Sequence, residues 1–255
     1  MRCLLTGCNG FIAKNLIHYF SNFNITGLDI SESEFVPTLV QNVSGRIEGE
    51  FDLIIHAASG FSDDSDMFNA NFLGTKRCIE VASRNNCPLI YISSAEAYEP
   101  VRTYGIMKLA GECLIKTYSK GFIVRPFHIY GPRMNLNDGR IQSEILKSLR
   151  DKSILKMRGD GSAIRTFTHV NDLLSAIELI LEKGTPGKIY DVSNEFEAIS
   201  IEELCKNLSI IYELGLEKHP IQVNIGNSGP LRDLGWSPNI STLSGFINAS
   251  LFRTE

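Results

Sequence analysis

Residues 2–20, RCLLTGCNGFIAKNLIHYF, decide the fold of this chain. Residues 2–6 form a short apolar run that predicts a buried β-strand, and residues 10–22 have the pattern of an amphipathic α-helix. Four apolar residues recur on one face of that helix: Ile12, Leu16, Ile17 and Phe20. Two glycines separate the strand from the helix, so the stretch predicts the strand–turn–helix unit of an α/β protein.

The same alternation of short apolar runs and longer amphipathic segments continues to about residue 127. Because the runs are apolar on both faces, they indicate a parallel sheet that is covered by helices. The runs are NITGLD (24–29), DLIIHAA (52–58), PLIYISS (88–94) and GFIVRPF (121–127). We expect helices between them around 66–85 and 104–119.

The pattern loosens in the second half of the chain. YGPRMNLNDGR (130–140) is rich in turn residues, and MRGDGSAIRTF (157–167) is rich in glycine. The helices predicted there cover residues around 140–152 and 170–182. We therefore predict a sheet domain over 1–127 and a smaller part over 128–255, some segments of which return to the sheet domain.

The composition excludes several classes of protein. Of the 255 residues, 43% are hydrophobic and 21% are charged, and the formal net charge of −4 argues against binding to nucleic acid or to an anionic membrane. The apolar stretches are too short to span a bilayer or to form a signal peptide. Six cysteines without a C-x-x-C pair predict reduced thiols in a cytoplasmic protein, and the scattered histidines predict no metal site.

The turn TGCNGFIA (6–13) predicts a phosphate-binding loop. Gly7 and Gly10 allow a tight turn, through which backbone N–H groups approach a pyrophosphate at the start of the helix. Asp29 ends the next strand, 19 residues after Gly10, where an acid binds the ribose hydroxyls of NAD and repels the phosphate of NADP. The alternative interpretation is structural: the two glycines only permit the turn, and Asp29 is only an acid at the end of a strand. We predict NAD binding by Gly7, Asn9, Gly10, Phe11, Ile12 and Asp29.

SSAEAYEPVRTYGIMK (93–108) contains a tyrosine, Tyr104, with Lys108 four residues later. Such a pair occurs by chance in many chains and also fits an exposed helix face, so the neighbouring motifs must decide its meaning. Taken in order along the chain, those motifs resemble the extended short-chain dehydrogenase/reductase family, in particular its NAD-dependent nucleotide-sugar epimerases and dehydratases. The further motifs are NFLGT (71–75), VRPFHIYGPR (124–133), GDGSAIRTFTHVNDL (159–173) and LGWSP (234–238).

This resemblance implies a fold and a set of catalytic roles. The fold is a Rossmann-type doubly wound parallel sheet with a small C-terminal substrate-binding part, and Ala57 and Ala58 lie on the strand beside the NAD. Tyr104 takes a proton from a sugar hydroxyl, Ser94 orients that hydroxyl, and Lys108 holds the nicotinamide ribose. Because a free phenol has a pKa near 10, the positive charge of Lys108 is needed to favour the phenolate.

The resemblance also implies a substrate and a partner. Arg165 lies in the 159–173 motif, at the position that supplies an arginine to a nucleotide diphosphate; a surface salt bridge is the alternative role. His128 stands where relatives usually have Asn. Asp172 precedes a predicted helix and fits a cap. The predicted substrate-binding residues are Ser94, His128, Arg133, Arg165 and Arg232. We expect a nucleotide-sugar substrate and a homodimer through the two helices, with Leu109, Cys113 and Tyr118 at the interface.

Three features depart from the family pattern. Ala95 stands where dehydratases carry an acid, while Glu96 is either a catalytic acid/base or a solvated loop residue. The segment between Asp29 and Asp52 is short, and so is the connection from Ser94 to Tyr104. We therefore expect an NAD-dependent epimerase acting at C4 of the sugar. A nucleotide-sugar 4-ketoreductase, a UDP-glucuronate-type decarboxylase and a catalytically silent dinucleotide-binding scaffold are the alternatives.

Overall fold

The computed structural model describes residues 1–217 and 221–252. Its strands are β1 Arg2–Thr6, β2 Asn24–Asp29, β3 Thr38–Val40, β4 Leu53–His56, β5 Leu89–Ile92, β6 Gly121–Pro126, β7 Ile129–Tyr130, β8 Leu155–Lys156, β9 Ile164–Arg165, β10 Thr168–His169, β11 Ile189–Val192, β12 Ile199–Ser200, β13 Tyr212–Glu213 and β14 Val223–Asn224. Its α-helices are α1 Phe11–Tyr19, α2 Asp64–Phe68, α3 Gly74–Asn85, α4 Thr103–Ile115, α5 Ile141–Asp151, α6 Val170–Lys183, α7 Ile201–Asn207, α8 Gly229–Arg232 and α9 Thr242–Ser250.

One seven-stranded sheet has the order β11-β6-β5-β4-β1-β2-β3 in the described part of the chain. The pairs β1–β2, β1–β4, β4–β5, β5–β6 and β2–β3 are parallel. β4 and β5 are buried along their whole length, as expected for strands that are covered by helices on both faces. The predicted Rossmann-type fold is confirmed.

The chain divides into two compact units. The first contains residues 1–125 and 176–190, and the second contains residues 126–175 and those from 191 onward. The first segment of the sheet unit thus ends two residues before the boundary that the sequence predicts. The prediction that the second half binds substrate stays a prediction.

The helix predicted around 66–85 is not continuous. A π-helical turn, Asn69–Leu73, separates α2 from α3. The helix predicted over 104–119 ends earlier, at Ile115, and residues 116–120 form a turn. Within that turn the Tyr118 hydroxyl donates to the carbonyl oxygens of Ala82 and Cys87 at 3.0 and 2.7 Å.

The sheet edge beyond β2 is short. Residues 30–52, all of which the structure describes, contain no helix, and β3 has only three residues. The N–H of Gln41 donates to the Asp29 carbonyl at 2.8 Å, and that of Gly27 to Pro37 at 2.8 Å. Backbone hydrogen bonds therefore close this edge where the sequence leaves little room for a full strand and helix.

The predicted role of Asp172 as a helix cap is wrong. Asp172 is buried in the first turn of α6, and its carboxylate accepts the N–H groups of Asn239 and Ile240 at 3.0 and 3.2 Å. Its carbonyl accepts the indole N–H of Trp236 at 3.1 Å. The LGWSP segment is thus a structural anchor that ties the chain before α9 to α6.

Candidate active site

The glycine-rich loop follows β1 and leads into α1. Gly7 has a φ of +69°, and a Cβ at this position would lie 2.7 Å from the backbone N and Cα of Ala58. Only glycine tolerates both that conformation and that contact. Gly10 lies immediately before α1, and its N–H donates to the Gly7 carbonyl at 2.9 Å. The loop therefore packs closely against the chain that follows β4.

Asp29, at the end of β2, is hydrogen-bonded to the glycine-rich loop. Its Oδ2 accepts the N–H of Asn9 at 3.0 Å, and its Oδ1 accepts the N–H of Ile30 at 2.8 Å. The Asn9 side-chain amide donates to the carbonyl oxygens of Ser31 and Glu32 at 3.1 and 3.0 Å. Asn9 thus connects the loop to the acidic segment, and each Asp29 oxygen keeps capacity for a further hydrogen bond.

These residues fit a dinucleotide with a free ribose 2′-hydroxyl. The first turn of α1 contains no acidic residue, so its exposed N–H groups favour an anionic pyrophosphate. Residues 27–34 contain no basic side chain that could bind a 2′-phosphate, and Asp29 would repel one. The contacts predicted for Phe11, Ile12, Ala57 and Ala58 with the cofactor stay predictions.

A buried polar chain that the sequence analysis did not single out lies beneath this loop. Thr75 Oγ1 donates to the Asn71 carbonyl at 2.7 Å, so it accepts the Nε2–H of His56 at 3.2 Å. His56 Nδ1 then accepts the Thr6 hydroxyl at 2.7 Å. Thr6 Oγ1 in turn accepts the N–H of Ala58 at 3.2 Å. One orientation of each donor satisfies every hydrogen bond in this series. The series assigns the Nε2–H tautomer to a neutral His56.

Burial keeps two histidines uncharged. Burial lowers the pKa of His56 to about 3, and the charge of Lys108 acts in the same direction. Burial also lowers the pKa of His169, in the second unit, to about 4. Both imidazoles are therefore neutral near pH 7 and serve as hydrogen-bonding or packing groups.

Tyr104 and Lys108 lie one turn apart near the start of α4. Lys108 is only 2% exposed, and its Nζ donates to the Ile92 carbonyl at 2.9 Å. The same Nζ lies 5.9 Å from the ring centroid of Tyr104 and 5.1 Å from that of Tyr91. The half-buried Tyr104 ring stacks on Phe61 at 5.0 Å. Lys108 is therefore not an exposed helix side chain, and its charge lies beside the phenol.

Ser94 follows β5 and begins a single 3₁₀ turn, Ala95–Ala97. Its Oγ accepts the N–H of Glu96 at 3.1 Å, which leaves its own O–H as a donor. A Cβ on Gly105 would lie 2.5 Å from the Glu96 carbonyl oxygen. The turn thus packs directly on the first turn of α4. This is how a short connection brings the segment of Ser94 against the helix of Tyr104.

Arg165 is the most buried of the predicted substrate-binding arginines, at 4% exposure. Its guanidinium donates to the carbonyl oxygens of Ile164, Ile221 and Gln222 at 2.8, 2.9 and 3.2 Å. Burial lowers its pKa. Backbone carbonyls, rather than a carboxylate, are its partners among the described residues, so the alternative of a surface salt bridge is wrong.

Arg133 and Arg232 are held differently from Arg165. Arg133, with a φ of +66°, has its guanidinium 5.4 Å from the ring centroid of Phe252. Arg232 forms an ion pair with Glu195 and lies 5.2 Å from the Phe196 ring. A diphosphate would therefore compete with a carboxylate for Arg232. Binding by either arginine stays a prediction.

His128 also lies in the second unit and has a strained backbone. Its φ is +42°, which is uncommon for a residue with a side chain, and its Nε2 lies 3.1 Å from Asn224 Oδ1. The ring centroid is 5.8 Å from that of Phe167. The half-buried imidazole is thus partnered by an amide, and its contact with a substrate stays a prediction.

A Rossmann-type sheet, a glycine-rich loop tied to an acid, and a tyrosine beside a buried lysine define a dinucleotide-dependent oxidoreductase of the short-chain type. Residues 3–193 match the model of the NAD-dependent epimerase/dehydratase family, and the chain belongs to this family. It is therefore an enzyme of that type, and NAD is its cofactor.

Named relatives are distant in sequence. Human dTDP-D-glucose 4,6-dehydratase is 24% identical over an alignment of 308 positions that covers 96% of this chain and 87% of that protein. UDP-glucuronic acid decarboxylase 1 of Arabidopsis thaliana is 26% identical, with 91% of this chain and 59% of that protein covered. The first alignment is longer than the chain's 255 residues, so the human enzyme has residues at positions that this chain lacks.

Solved structures share the fold over nearly the whole chain. UDP-glucuronic acid 4-epimerase from Bacillus cereus, in complex with UDP-glucuronic acid and NAD, aligns with a TM-score of 0.82 at 20% identity, covering 98% of both chains. UDP-glucose 4-epimerase from Thermotoga maritima aligns with a TM-score of 0.86 at 17% identity, covering 98% of this chain and 97% of that one. Among the described residues, no helix is both long enough and apolar enough to cross a membrane.

Proposed function

We propose that the enzyme is an epimerase that acts at C4 of a nucleotide-linked sugar. The observation that carries this proposal is the buried Lys108, whose ammonium group is held by the Ile92 carbonyl beside the ring of Tyr104. A scaffold that only binds a dinucleotide has no need of a phenol with a buried cation next to it. The pair is what a reversible removal of a hydroxyl proton requires.

Tyr104 and Ser94 perform the proton chemistry of this reaction. The phenolate of Tyr104 accepts the proton of the C4 hydroxyl, and the phenol returns it when the alcohol is re-formed. Ser94 donates its O–H to the same sugar oxygen and orients it. Lys108 stabilises the phenolate, because an adjacent positive charge favours the ionised form. Bound NAD supplies the acceptor of the C4 hydride and its later donor.

The turn after Ser94 favours epimerisation over dehydration. Elimination of water by the acid–base pair of family dehydratases needs a carboxyl at position 95, and this chain has a buried alanine there, 7% exposed. The turn keeps the neighbouring Glu96, but position 95 offers no acid to protonate the leaving hydroxyl. We therefore infer that the 4-keto sugar is reduced again rather than dehydrated.

One observation favours a second activity. Glu96 is half-buried in the turn that Ser94 caps, next to the predicted catalytic residues. A carboxylate at this place also suits the decarboxylation of a 4-keto uronic acid, and UDP-glucuronic acid decarboxylases are among the relatives. The 4-ketoreductase alternative rests on the short connection between Ser94 and Tyr104.

Product analysis separates these activities. The enzyme is incubated with NAD and either UDP-glucose or UDP-glucuronic acid, and products are followed by mass spectrometry, NMR and NADH absorbance. An epimerase gives a C4 epimer of unchanged mass without net NADH formation. Loss of carbon dioxide would instead establish the decarboxylase. A separate incubation with NADH and a nucleotide-linked 4-keto sugar tests the ketoreductase, which would oxidise NADH stoichiometrically.

We further propose a homodimer through α4 and the segment from α2 to α3. Phe68 and Ile106 are large apolar residues that are 42% and 51% exposed, and Cys113 is also exposed. Leu109 is half-buried, and we place it at the edge of the proposed dimer interface. We no longer place Tyr118 at the interface, because its hydroxyl is bound to carbonyl groups of its own unit.

A further inference from the structure

A buried charged cluster lies inside the sheet unit, next to the candidate catalytic residues. Glu112, on α4, is fully buried and Arg125, on β6, is 9% exposed. Arg125 donates to both carboxylate oxygens of Glu112, from Nε at 2.7 Å and from Nη2 at 2.6 Å. The hydroxyl of Ser93, also buried, donates to Glu112 Oε1. Ser93 is the residue immediately before Ser94.

α4 contacts the end of β5 through side chains on a single face. Lys108 and Glu112 are four residues apart and therefore lie one above the other on the helix. Lys108 binds the carbonyl of Ile92, and Glu112 binds the hydroxyl of Ser93, which is the next residue. Two consecutive residues of the strand end are thus held by two consecutive turns of the helix.

The helix also approaches this strand closely between those two contacts. A Cβ on Gly111 would lie 2.4 Å from the hydroxyl oxygen and 2.7 Å from Cζ of Tyr91. Glycine at 111 therefore permits the short separation at which Lys108 reaches the Ile92 carbonyl and Glu112 meets the Ser93 hydroxyl. The separation and the two hydrogen bonds define one arrangement of the helix against the strand.

We propose that Glu112 is a positioning residue that sets Ser94 relative to Tyr104. The proposal rests on the proposed function, in which Ser94 and Tyr104 act on the same sugar oxygen. Glu112 touches neither substrate nor cofactor in this role. It holds Ser93, and through Ser93 it sets the direction in which the chain leaves β5 and places Ser94.

Arg125 makes Glu112 suitable for this purpose. With both carboxylate oxygens engaged by the guanidinium, the plane of the carboxylate is fixed, and a bidentate pair of this kind adds geometric precision. Ser93 then meets an acceptor that cannot rotate away. The cluster joins β5, α4 and β6 at the carboxyl ends of the two strands, where the reacting groups must be held within a fraction of an ångström.

Ser93→Ala is the sharpest test, because it removes one hydroxyl and leaves the Glu112–Arg125 pair intact. With UDP-glucuronic acid or UDP-glucose as the probe, whichever is turned over, we expect kcat to fall between about 10- and 100-fold. KM for the probe and Kd for NAD should stay within about twofold, since the cofactor loop and the arginines of the second unit are unchanged.

Tyr118→Phe is the matched control. It also removes one hydroxyl that is hydrogen-bonded inside the sheet unit, but its partners are the carbonyl groups of Ala82 and Cys87. We expect a loss of stability in urea comparable with that of Ser93→Ala, with kcat unchanged. A fall in kcat for both variants in proportion to their lost stability would mean a merely structural role and would overturn the proposal.

A double-mutant cycle and one reference variant complete the test. Ser93→Ala should cost little more kcat when added to Glu112→Leu, because Glu112→Leu already removes the acceptor of the Ser93 hydroxyl. Additive losses would overturn the proposal. Ser94→Ala distinguishes a failure of the positioning role of Glu112 from a failure of the proposed function. If Ser94→Ala loses activity and Ser93→Ala does not, the positioning role alone is wrong; if Ser94→Ala keeps full activity, the proposed function fails. Should Glu112→Leu not fold, Ser93→Ala and its control still decide.

Discussion

The ammonium group of Lys108 is bound to the carbonyl of Ile92 at 2.9 Å and lies 5.9 Å from the ring centroid of Tyr104. This relationship joins the last residue of β5 to the first turns of α4. A side chain that is 2% exposed and charged must be fixed by its surroundings, because an uncompensated buried charge is costly. Lys108 therefore has one position, and that position is beside the phenol.

The first prediction concerns this charge. Lys108→Met keeps an unbranched side chain but removes the ammonium group. The Tyr104 phenolate then loses its stabilising neighbour, and NAD loses the ribose ligand that we propose for it. We expect weaker NAD binding by calorimetry. We also expect the limb on which activity rises with pH to move toward higher pH, because the phenolate then forms only at higher pH. Unchanged NAD affinity together with an unchanged pH profile would contradict both roles of Lys108.

The second prediction concerns the choice of NAD over NADP. Asp29→Ala removes the carboxylate that is held by the N–H of Asn9, so we expect the ratio of the two dissociation constants to narrow. Glu34→Ala is the control, since it deletes an exposed acid of the same segment and should leave the ratio unchanged. Tighter binding of NADPH than of NADH by the unaltered enzyme would contradict the assignment.

The third prediction concerns acid stability. The pKa of His56 is lowered to about 3 in the folded enzyme, against about 6.5 in an unfolded chain. Between these values the unfolded chain binds the extra proton, so the stability from a neutral His56 is full above about pH 6.5 and is lost as the pH falls. In His56→Gln, the slope of the unfolding free energy against pH should be smaller by up to about 1.4 kcal/mol per pH unit.

Urea unfolding at several pH values between 5 and 7.5 measures that slope. The wild-type slope also contains a contribution of the same sign from His169, whose pKa is lowered to about 4, so the comparison is between variant and wild type. Equal slopes for the two proteins would show that His56 is protonated in the folded state.

The fourth prediction concerns assembly. Light scattering should give a dimer at micromolar concentration, because Phe68 and Ile106 are exposed apolar residues on the helices that we propose to pair. Ile106→Glu should shift the protein to a monomer, as an unpaired charge in an apolar interface is costly. A wild-type monomer under the same conditions would count against the dimer.

The sequence is most informative where function depends on local pattern. The loop at Gly7 and Gly10 and the Tyr104–Lys108 spacing are readable because strand, turn and helix follow one another along the chain. The Glu112–Arg125 pair is different, since its partners lie thirteen positions apart, one on a helix and the other on a strand. Its one local signal is that Glu112 lies four residues after Lys108 and so on the same helix face.

Two other features depend on contacts that no local pattern encodes. The π-helical turn at Asn69–Leu73 breaks a segment whose apolar spacing predicts a continuous helix. Tyr118 looks like an outward-facing residue at the end of a helix, and only the packing of α3 beside it shows that its hydroxyl points inward. In both places tertiary contacts decide between conformations that the local sequence favours almost equally.

The last prediction returns to Tyr104. Tyr104→Phe keeps the ring that stacks on Phe61 at 5.0 Å and removes only the hydroxyl, so the fold and the position of Lys108 should be preserved. Without the phenol no group accepts the C4 proton as the hydride leaves, and we expect turnover to fall by roughly 10²–10⁴-fold. NAD binding should survive, because Gly7, Gly10 and Asp29 are unchanged. Turnover at the wild-type rate would remove Tyr104 from the mechanism and favour the silent dinucleotide-binding scaffold instead.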